Sequence, residues 1–362
     1  MTWRRQRRLA AILAADVVAN CVCVALLGDG RITEFKPGRK QEMIFGVSAP
    51  FRGPLATASS IRLIAEKAEQ LGFGYLTVSD HIVVPNNINS TYPYSDTGDF
   101  PWSAGGACDC MEQFTLLAWI AAVTNSIRLM TSVAVIPHRN PLFMAKSIAT
   151  TDQLSGGRVT LGCGAGWMRE EFEALGLPAF ERRGQVTNEY LEAMKILWSE
   201  EEPNYDGEFV KFDNIGVEPK PVQKPHPPIW IGGESGAAMR RAVALGDAWY
   251  PFGSNPAFRM DSLQKYTDRV AKLHAMAEAA GRDPAEITLA YNCAFHSEEE
   301  QQDLEGGRLA FTGTPEQRAE DMRDFAQAGL KVMMVNVTSN DLNAMLDRME
   351  AFATEVMPLV AA

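Results

Sequence analysis

Eight short apolar runs, each followed by a helical pattern, fill the chain from Met43 to the C-terminus. The runs are Met43–Ser48, Tyr75–Ser79, Ile127–Val135, Arg158–Cys163, Pro228–Gly232, Asp247–Phe252, Ile287–Cys293 and Val332–Val337. They are rich in Val, Ile and aromatic residues, and most lack polar alternation, as strands of a parallel sheet buried on both faces do. Helical patterns follow at 57–71, 112–124, 142–155, 180–199, 235–245, 258–280, 315–328 and 341–357. Thr314-Pro315-Glu316 offers a cap residue with proline at the first helical position. Gly72, Gly246, Gly281 and Gly329 stand where C-terminal caps belong. Eight units predict an α/β fold closed into a (β/α)8 TIM barrel with insertions in the βα loops. An open doubly wound sheet is the weaker fit, because no GxGxxG opens an early helix.

Long connections after strands fall at 81–111, 164–179 and 294–314. In a barrel such loops gather on the C-terminal face and build the pocket. Loop 81–111 carries Tyr92, Tyr94, Phe100 and Trp102, which suits a wall or lid that excludes water, with a disordered surface flap as the alternative. Residues 201–227 lie after the fourth helix, where Tyr205–Phe209 reads as a hairpin turn without chemistry.

Charge and cysteine usage narrow the function classes. The chain carries a net −11, yet its first 40 residues hold eight Lys/Arg against three Asp/Glu, which leaves −16 for the rest. An acidic body without a basic stripe argues against nucleic acid as partner. Cys21/Cys23, Cys108/Cys110, Cys163 and Cys293 lack zinc spacing and read as free thiols, so no metal site is expected.

Residues 1–42 stand outside the barrel pattern and read as an N-terminal appendage, with 43–362 as the catalytic domain. Arg4, Arg5, Arg7 and Arg8 precede an apolar run, Leu9–Gly28, broken by Asp16 and Asn20. A membrane span would bear Asp16 at a cost, and a secretory cleavage site is missing. The stretch Arg7–Val18 resembles the opening strand of bacterial class III adenylate cyclases, although no other cyclase motif follows. The segment therefore reads as an appended remnant or a start placed too early, with Met43 as the natural beginning and the cytoplasm as the expected compartment.

Four motifs, Thr131-Ser132-Val133 among them, stand where strands give way to loops. In Ser79-Asp80-His81, His81 suits proton delivery, and Asp80 could orient its ring or accept a ligand hydrogen bond. The plainer alternative makes Asp80 a loop cap and His81 a rim residue. At Gly232-Gly233-Glu234-Ser235 a strand ends and a helix begins, so free N–H groups and close backbone approach favour a phosphate. A tight turn capped by Ser235 is the alternative. Gly164-Ala165-Gly166-Trp167 would let a flat ring lie against backbone, or it is an ordinary glycine turn. His138 is a further rim candidate. Phe51, Trp102, Trp167 and Trp249 are apolar pocket candidates that suggest an organic ligand.

The motifs in order carry a resemblance. Ser79–His81, Thr131–Pro137 with Arg139-Asn140-Pro141, Asp152–Arg158, Gly162–Trp167, Ile229–Ser235, Gly246–Trp249 and Gly313–Gln317 follow one another in the expected β/α slots. Over nearly the whole barrel the chain resembles the bacterial luciferase-like family of flavin- and deazaflavin-dependent oxidoreductases. Its pattern is nearest the branch dependent on coenzyme F420. The resemblance implies FMN or coenzyme F420 as cofactor, held by Asp80, Ser132, Val133, Ala165, Gly166, Trp167, Gly232, Gly233, Glu234 and Ser235, with His81 as the catalytic residue. It implies the cofactor phosphate at Gly232–Ser235 and a non-prolyl cis bond at Ser132–Val133 supporting the ring. It further implies a small organic substrate, reduced or monooxygenated, and a flavin or F420 reductase as supplier of reduced cofactor. A homodimer is left open, and neither membrane nor nucleic acid is expected. Some deazaflavin dehydrogenases of the family carry a proton-donating glutamate where Trp167 stands, which argues against sugar-phosphate dehydrogenation here. A non-redox barrel enzyme on a phosphorylated metabolite and a non-catalytic flavin-binding protein are the alternatives. The first would need a catalytic lysine or paired carboxylates, and neither stands out.

Overall fold

Each of the eight apolar runs forms a strand in the computed structural model, which describes residues 43–101 and 109–361 and the backbone of two short strands before them. The strands are β1 (Ile44–Ser48), β2 (Tyr75–Val78), β3 (Arg128–Thr131), β4 (Val159–Gly164), β5 (Ile229–Gly232), β6 (Ala248–Tyr250), β7 (Thr288–Cys293) and β8 (Leu330–Val335). All pair in parallel with the next in sequence, and β8 pairs with β1, closing the barrel. The main helices between them are α1 (Ala58–Gln70), α2 (Gln113–Val123), α3 (Pro141–Ser155), α4 (Arg183–Ser199), α5 (Gly236–Leu245), α6 (Leu263–Ala279), α7 (Pro315–Gln327) and α8 (Leu342–Ala351). By compactness the chain divides into Met1–Glu42 and Met43–Ala362. In the first unit Ala25–Leu26 pairs antiparallel with Ile32–Thr33. The remaining expectations for residues 1–42, and those for Trp102 and Cys108, lie outside the described residues.

The strand period of two sorts the side chains into two layers. Tyr75, Met130, Trp230, Ala248, Tyr250, Ala290, Val332 and Met334 fill the barrel interior. Their neighbours Leu76, Leu129, Ile229, Ile231 and Trp249 belong to the larger core beneath the helices. Full burial of a side chain of this size contributes about 1.5–3 kcal/mol, so the two layers supply most of the drive to close the sheet.

Local signals set the element ends. Thr314 and Gln317 form a reciprocal capping box at α7, with Pro315 at its first position. Asn140 caps α3 ahead of Pro141. The Asp152–Arg158 motif serves the N-terminal face of the barrel. Arg158 donates to the carbonyls of Ala121, Thr124 and Ile127, and Asp152 accepts from the backbone of Gln223. Residues 205–212 form the expected hairpin.

Several boundaries differ from the sequence reading. The run Ile127–Val135 is broken after Thr131 and resumes as Ala134–Val135, with the expected cis peptide bond at Ser132–Val133 between the pieces. Strand β8 starts two residues before Val332. Helix α6 starts at Leu263, because Ser262 caps it and Pro256–Phe258 form a separate 3-10 turn. Gly246 is the expected C-cap of α5, its N–H bonded to the Ala242 carbonyl, but with an extended φ of −95°. It is a glycine for want of room, since a Cβ there would meet the Ile231 side chain at 2.7 Å. The loop after β4 also holds an unexpected short helix, Arg169–Ala174.

Candidate active site

The loops after the strands enclose a cavity of about 850 Å³. Asp80, His81, Ser132, Val133, Ala165, Gly166, Trp167, Gly232, Gly233, Glu234 and Ser235 all line it, so motifs up to 155 residues apart meet in one space. His138 lines it too, as a buried wall residue rather than a rim residue. Phe51 and Trp249 do not. Trp249 faces the helix layer, fully buried, and its indole N–H donates to the Gly233 carbonyl at 2.9 Å. The pocket residue of that strand is Tyr250, one position on.

One end of the cavity is built to take an anion. Ser235 caps α5 by accepting the Ala238 N–H at 3.2 Å, and Gly233 has a φ of +101° that bends the chain into the helix. The remaining N–H groups of that first turn are the ones a helix leaves unpaired. Two cations reach the same space. Arg183 donates to the Gly166 and Phe180 carbonyls and stacks on the Phe180 ring at 4.0 Å. Arg241 donates to Asn188 and to the Gly184 carbonyl. Neither has a carboxylate partner among the described residues, and burial lowers the pKa of both from the ordinary guanidinium value. Glu234 sits behind the turn and accepts from Phe252 N at 2.6 Å and Asn255 at 2.9 Å. Its burial raises its pKa above the ordinary carboxylate value. It ties the β6 loop to the turn and keeps both oxygens occupied.

The opposite end holds the histidines. His81 Nδ1 lies 2.8 Å from Oε2 of Glu171, on the short helix after β4. Oε1 of the same carboxylate accepts the N–H groups of Ile82 at 2.8 Å and Val83 at 3.2 Å. His138 Nδ1 stands 3.8 Å from Glu171, and neither of its ring nitrogens has a hydrogen-bond partner among the described residues. Burial lowers its pKa from the ordinary imidazole value. Asp80 does not orient His81. Its fully buried carboxylate is gripped by Arg139 at 2.7 and 2.8 Å and accepts Val135 N at 3.0 Å. Arg139 in turn reaches Glu112. The pair pins the ends of β2 and β3 together, so Asp80 shapes the cavity wall.

The floor is the mouth of the barrel. Val133 projects between two glycines: a Cβ on Gly164 would stand 2.6 Å from its side chain and one on Gly232 2.9 Å. Beside it Ser132, Tyr250 and Asn292 hydrogen-bond in a triangle, at 2.9 Å for Ser132–Tyr250 and for Asn292–Tyr250.

Aromatic rings close the top. Trp167 meets Tyr92 and Phe100 at 5.0 Å each, Phe100 lies 5.4 Å from His81, and Tyr94 packs on Phe252 at 4.8 Å. The loop that carries Tyr92, Tyr94 and Phe100 is held by Glu170, which accepts from Asn89 and Ser90, and by an Asp96–Arg259 ion pair.

Glu171, Arg183, Arg241, Tyr250 and Asn292 line the cavity without having been singled out from sequence. The short helix after β4 turns Glu171 back to His81. The one local signal was an acidic pair directly after Gly164–Trp167. Among the described residues no group of three or more metal-ligating side chains occurs, and no helix is long and apolar enough to cross a membrane.

Comparison with known proteins gives this site a family. The model of the luciferase-like monooxygenases matches residues 43–328. An uncharacterised protein of Mycobacterium tuberculosis is 42% identical over 168 residues, 46% of this chain and 58% of its own length. The FMNH2-dependent dimethylsulfone monooxygenase of Pseudomonas putida is 30% identical over 241 residues, 66% of this chain and 59% of its own. The matched part thus spans less than two thirds of these relatives. An F420-dependent secondary alcohol dehydrogenase, solved with an F420–acetone adduct, superposes with a TM-score of 0.67 at 19% identity, covering 88% of this chain and 99% of that one. A long-chain alkane monooxygenase gives 0.68 at 14%, covering 88% and 91%. At such identities these two structures speak for the barrel fold alone. With its closed eight-stranded barrel and a family match across residues 43–328, the chain belongs to the luciferase-like monooxygenase family.

Proposed function

We propose that residues 43–362 form an oxidoreductase that uses reduced FMN or coenzyme F420 to reduce or monooxygenate a small organic substrate. One observation carries the reading: a single cavity joins an anion-binding end to a histidine under an aromatic cover. The residues present suit a ring with a phosphate-bearing tail. Gly164, Gly232 and Val133 offer a smooth apolar floor, and Arg183, Arg241 and the first turn of α5 offer compensation for a phosphate. The FMNH2-dependent relative and the F420-dependent structural neighbour are in keeping with either cofactor. When bound, a reduced flavin or deazaflavin supplies two electrons, as hydride to the substrate or to dioxygen in monooxygenation.

The chain's own residues do the rest. The arginines and the glycine turn bind the phosphate and so fix the cofactor along the cavity. The ring cluster of Tyr92, Phe100 and Trp167 excludes water and presents an apolar surface to the substrate. His81, at the edge of that cluster, holds or delivers a proton at an imidazole nitrogen. No lysine lines the cavity among the described residues, so the Schiff-base and carbanion chemistry of a non-redox lyase has no amine to use. On this reading the enzyme works in the cytoplasm and takes reduced cofactor from a flavin or F420 reductase.

The test is direct binding. The purified chain is titrated separately with FMN and with coenzyme F420, following the quenching of cofactor fluorescence. Saturable binding of one cofactor is expected. Failure of both to saturate would remove the proposal.

A further inference from the structure

We propose that Glu171 is a positioning residue that selects the tautomer of His81 and couples that choice to the seating of the entrance loop. The inference rests on reading His81 as the proton-handling group, and it concerns a residue that the motifs themselves do not mark.

The carboxylate is only 1% exposed and has no Lys or Arg partner among the described residues. Its contacts are N–H donors. Oε1 accepts from the backbone of Ile82 and Val83, and Oε2 faces Nδ1 of His81 at 2.8 Å. A carboxylate that accepts two backbone N–H groups is held as an acceptor. The ring nitrogen opposite it must then carry hydrogen. This assigns Nδ1–H to the neutral ring of His81 and leaves Nε2 as the nitrogen that gains and loses the proton. When Nε2 gives its proton to a reacting group, the neutral Nδ1–H ring remains, still hydrogen-bonded to Glu171.

The surrounding charges make Glu171 the decisive one. Asp80 and Arg139 neutralise each other in a two-point pair. His138 touches the same carboxylate at 3.8 Å, and burial opposes its protonation. Glu170, next in the chain, is engaged with Asn89 and Ser90. His81 is therefore the one imidazole with a hydrogen bond to the buried anion. A loop clamp alone would need an acceptor for Ile82 and Val83 and nothing more. The second oxygen is turned to the ring instead.

Glu171→Gln separates the two roles. The amide oxygen still accepts the two backbone N–H groups, but the amide NH2 now faces Nδ1, which must become an acceptor. The proton is driven to Nε2. The full-length protein, with its histidine rings labelled with nitrogen-15, is followed by NMR from pH 5 to 8. Five histidines give few signals, and His81→Gln assigns the one of interest. The wild type should show the Nδ1–H tautomer for neutral His81. Glu171→Gln should switch it to Nε2–H. Turnover should fall by about 10²–10⁴, the scale seen when the carboxylate behind a hydrolase imidazole becomes an amide, with cofactor affinity within about threefold. An Nε2–H tautomer in the wild type overturns the proposal without any variant. So does an unchanged tautomer in Glu171→Gln. Should His81→Gln turn over at the wild-type rate while the tautomer switch occurs, the catalytic reading of His81 falls and the positioning by Glu171 stands.

Discussion

The two ends of the cavity are made in different ways. The anion end is largely local: Gly232 to Ser235 bend a strand into a helix, and one cap and one positive φ supply its geometry. The histidine end is assembled from afar. His81 follows β2, Glu171 sits on a short helix after β4, and the rings come from the loop before α2. Backbone donors, backed by two arginines, serve the first end, and side-chain pairs serve the second. A phosphate can be held by N–H groups that any sequence supplies once the turn is made. A proton must be held by a particular nitrogen, whose behaviour depends on neighbours the chain has to bring in.

The sharpest way to break this contrast is to remove the ring. His81→Ala should lower turnover by about 10²–10⁴ while cofactor affinity moves by less than about threefold. Stopped-flow single turnovers beside a binding titration would separate the two. A large loss of affinity with little loss of rate would make His81 part of the binding end.

A second histidine tests whether neighbours decide the outcome. His296 is as buried as His81, but it lies 3.0 Å from an Arg318 nitrogen and from the Asn336 carbonyl. Burial first, and then the Arg318 charge, press its pKa from 6.5 down to about 4. The folded state therefore refuses a proton that the unfolded chain accepts. Stability from this site is fully present above pH 6.5 and is lost as pH falls from 6.5 towards 4. The loss is about 3 kcal/mol in all and about 2 kcal/mol by pH 5. The lowered His138 acts in the same direction. Urea unfolding at pH 7 and pH 5 should show the drop, and His296→Asn should remove most of it. A drop unchanged in His296→Asn would assign the acid lability elsewhere.

The anion end is probed by one added charge. Asp caps a helix as well as Ser does, so Ser235→Asp should leave the melting temperature within a degree or two. It also sets a negative charge against the helix end that is to hold a phosphate, so cofactor affinity should fall about tenfold. Equal affinity in the two proteins would move the phosphate away from this turn.

The same contrast explains what could be read from the chain. The barrel, its order and the loop motifs are local patterns of strand, turn and helix, and they lie at the strand ends where expected. Gly232–Ser235 works through backbone, so its residue types announce it. Glu171 is separated from His81 by 90 residues, and its six-residue helix is too short for any periodicity to reveal. Trp249, large and apolar, reads in sequence as a pocket residue. The period of two in β6 turns it outward and turns Tyr250 in, a choice that only the pairing of the strands fixes. Arg183 and Arg241 look like ordinary helix residues until closure of the barrel sets their helices beside the turn.

The smallest expected effect concerns the cover between the two ends. Glu170 binds Asn89 and Ser90 through three hydrogen bonds, and Arg169 N–H donates to Ser90. It does not contact His81, and it is absent from the cavity lining. Partly exposed hydrogen bonds of this kind contribute about 1 kcal/mol or less each. Asp96–Arg259 and the Ser254–Tyr94 contact would still hold the far side of the loop. Glu170→Ala should therefore loosen the loop without opening the site. Amide exchange over residues 86–98 should quicken about tenfold, while cofactor affinity stays within about twofold, since no group at the anion end has changed. A loss of affinity matching that of Ser235→Asp would mean that the loop, and not the glycine turn, holds the cofactor's tail. The two ends would then be one device rather than two.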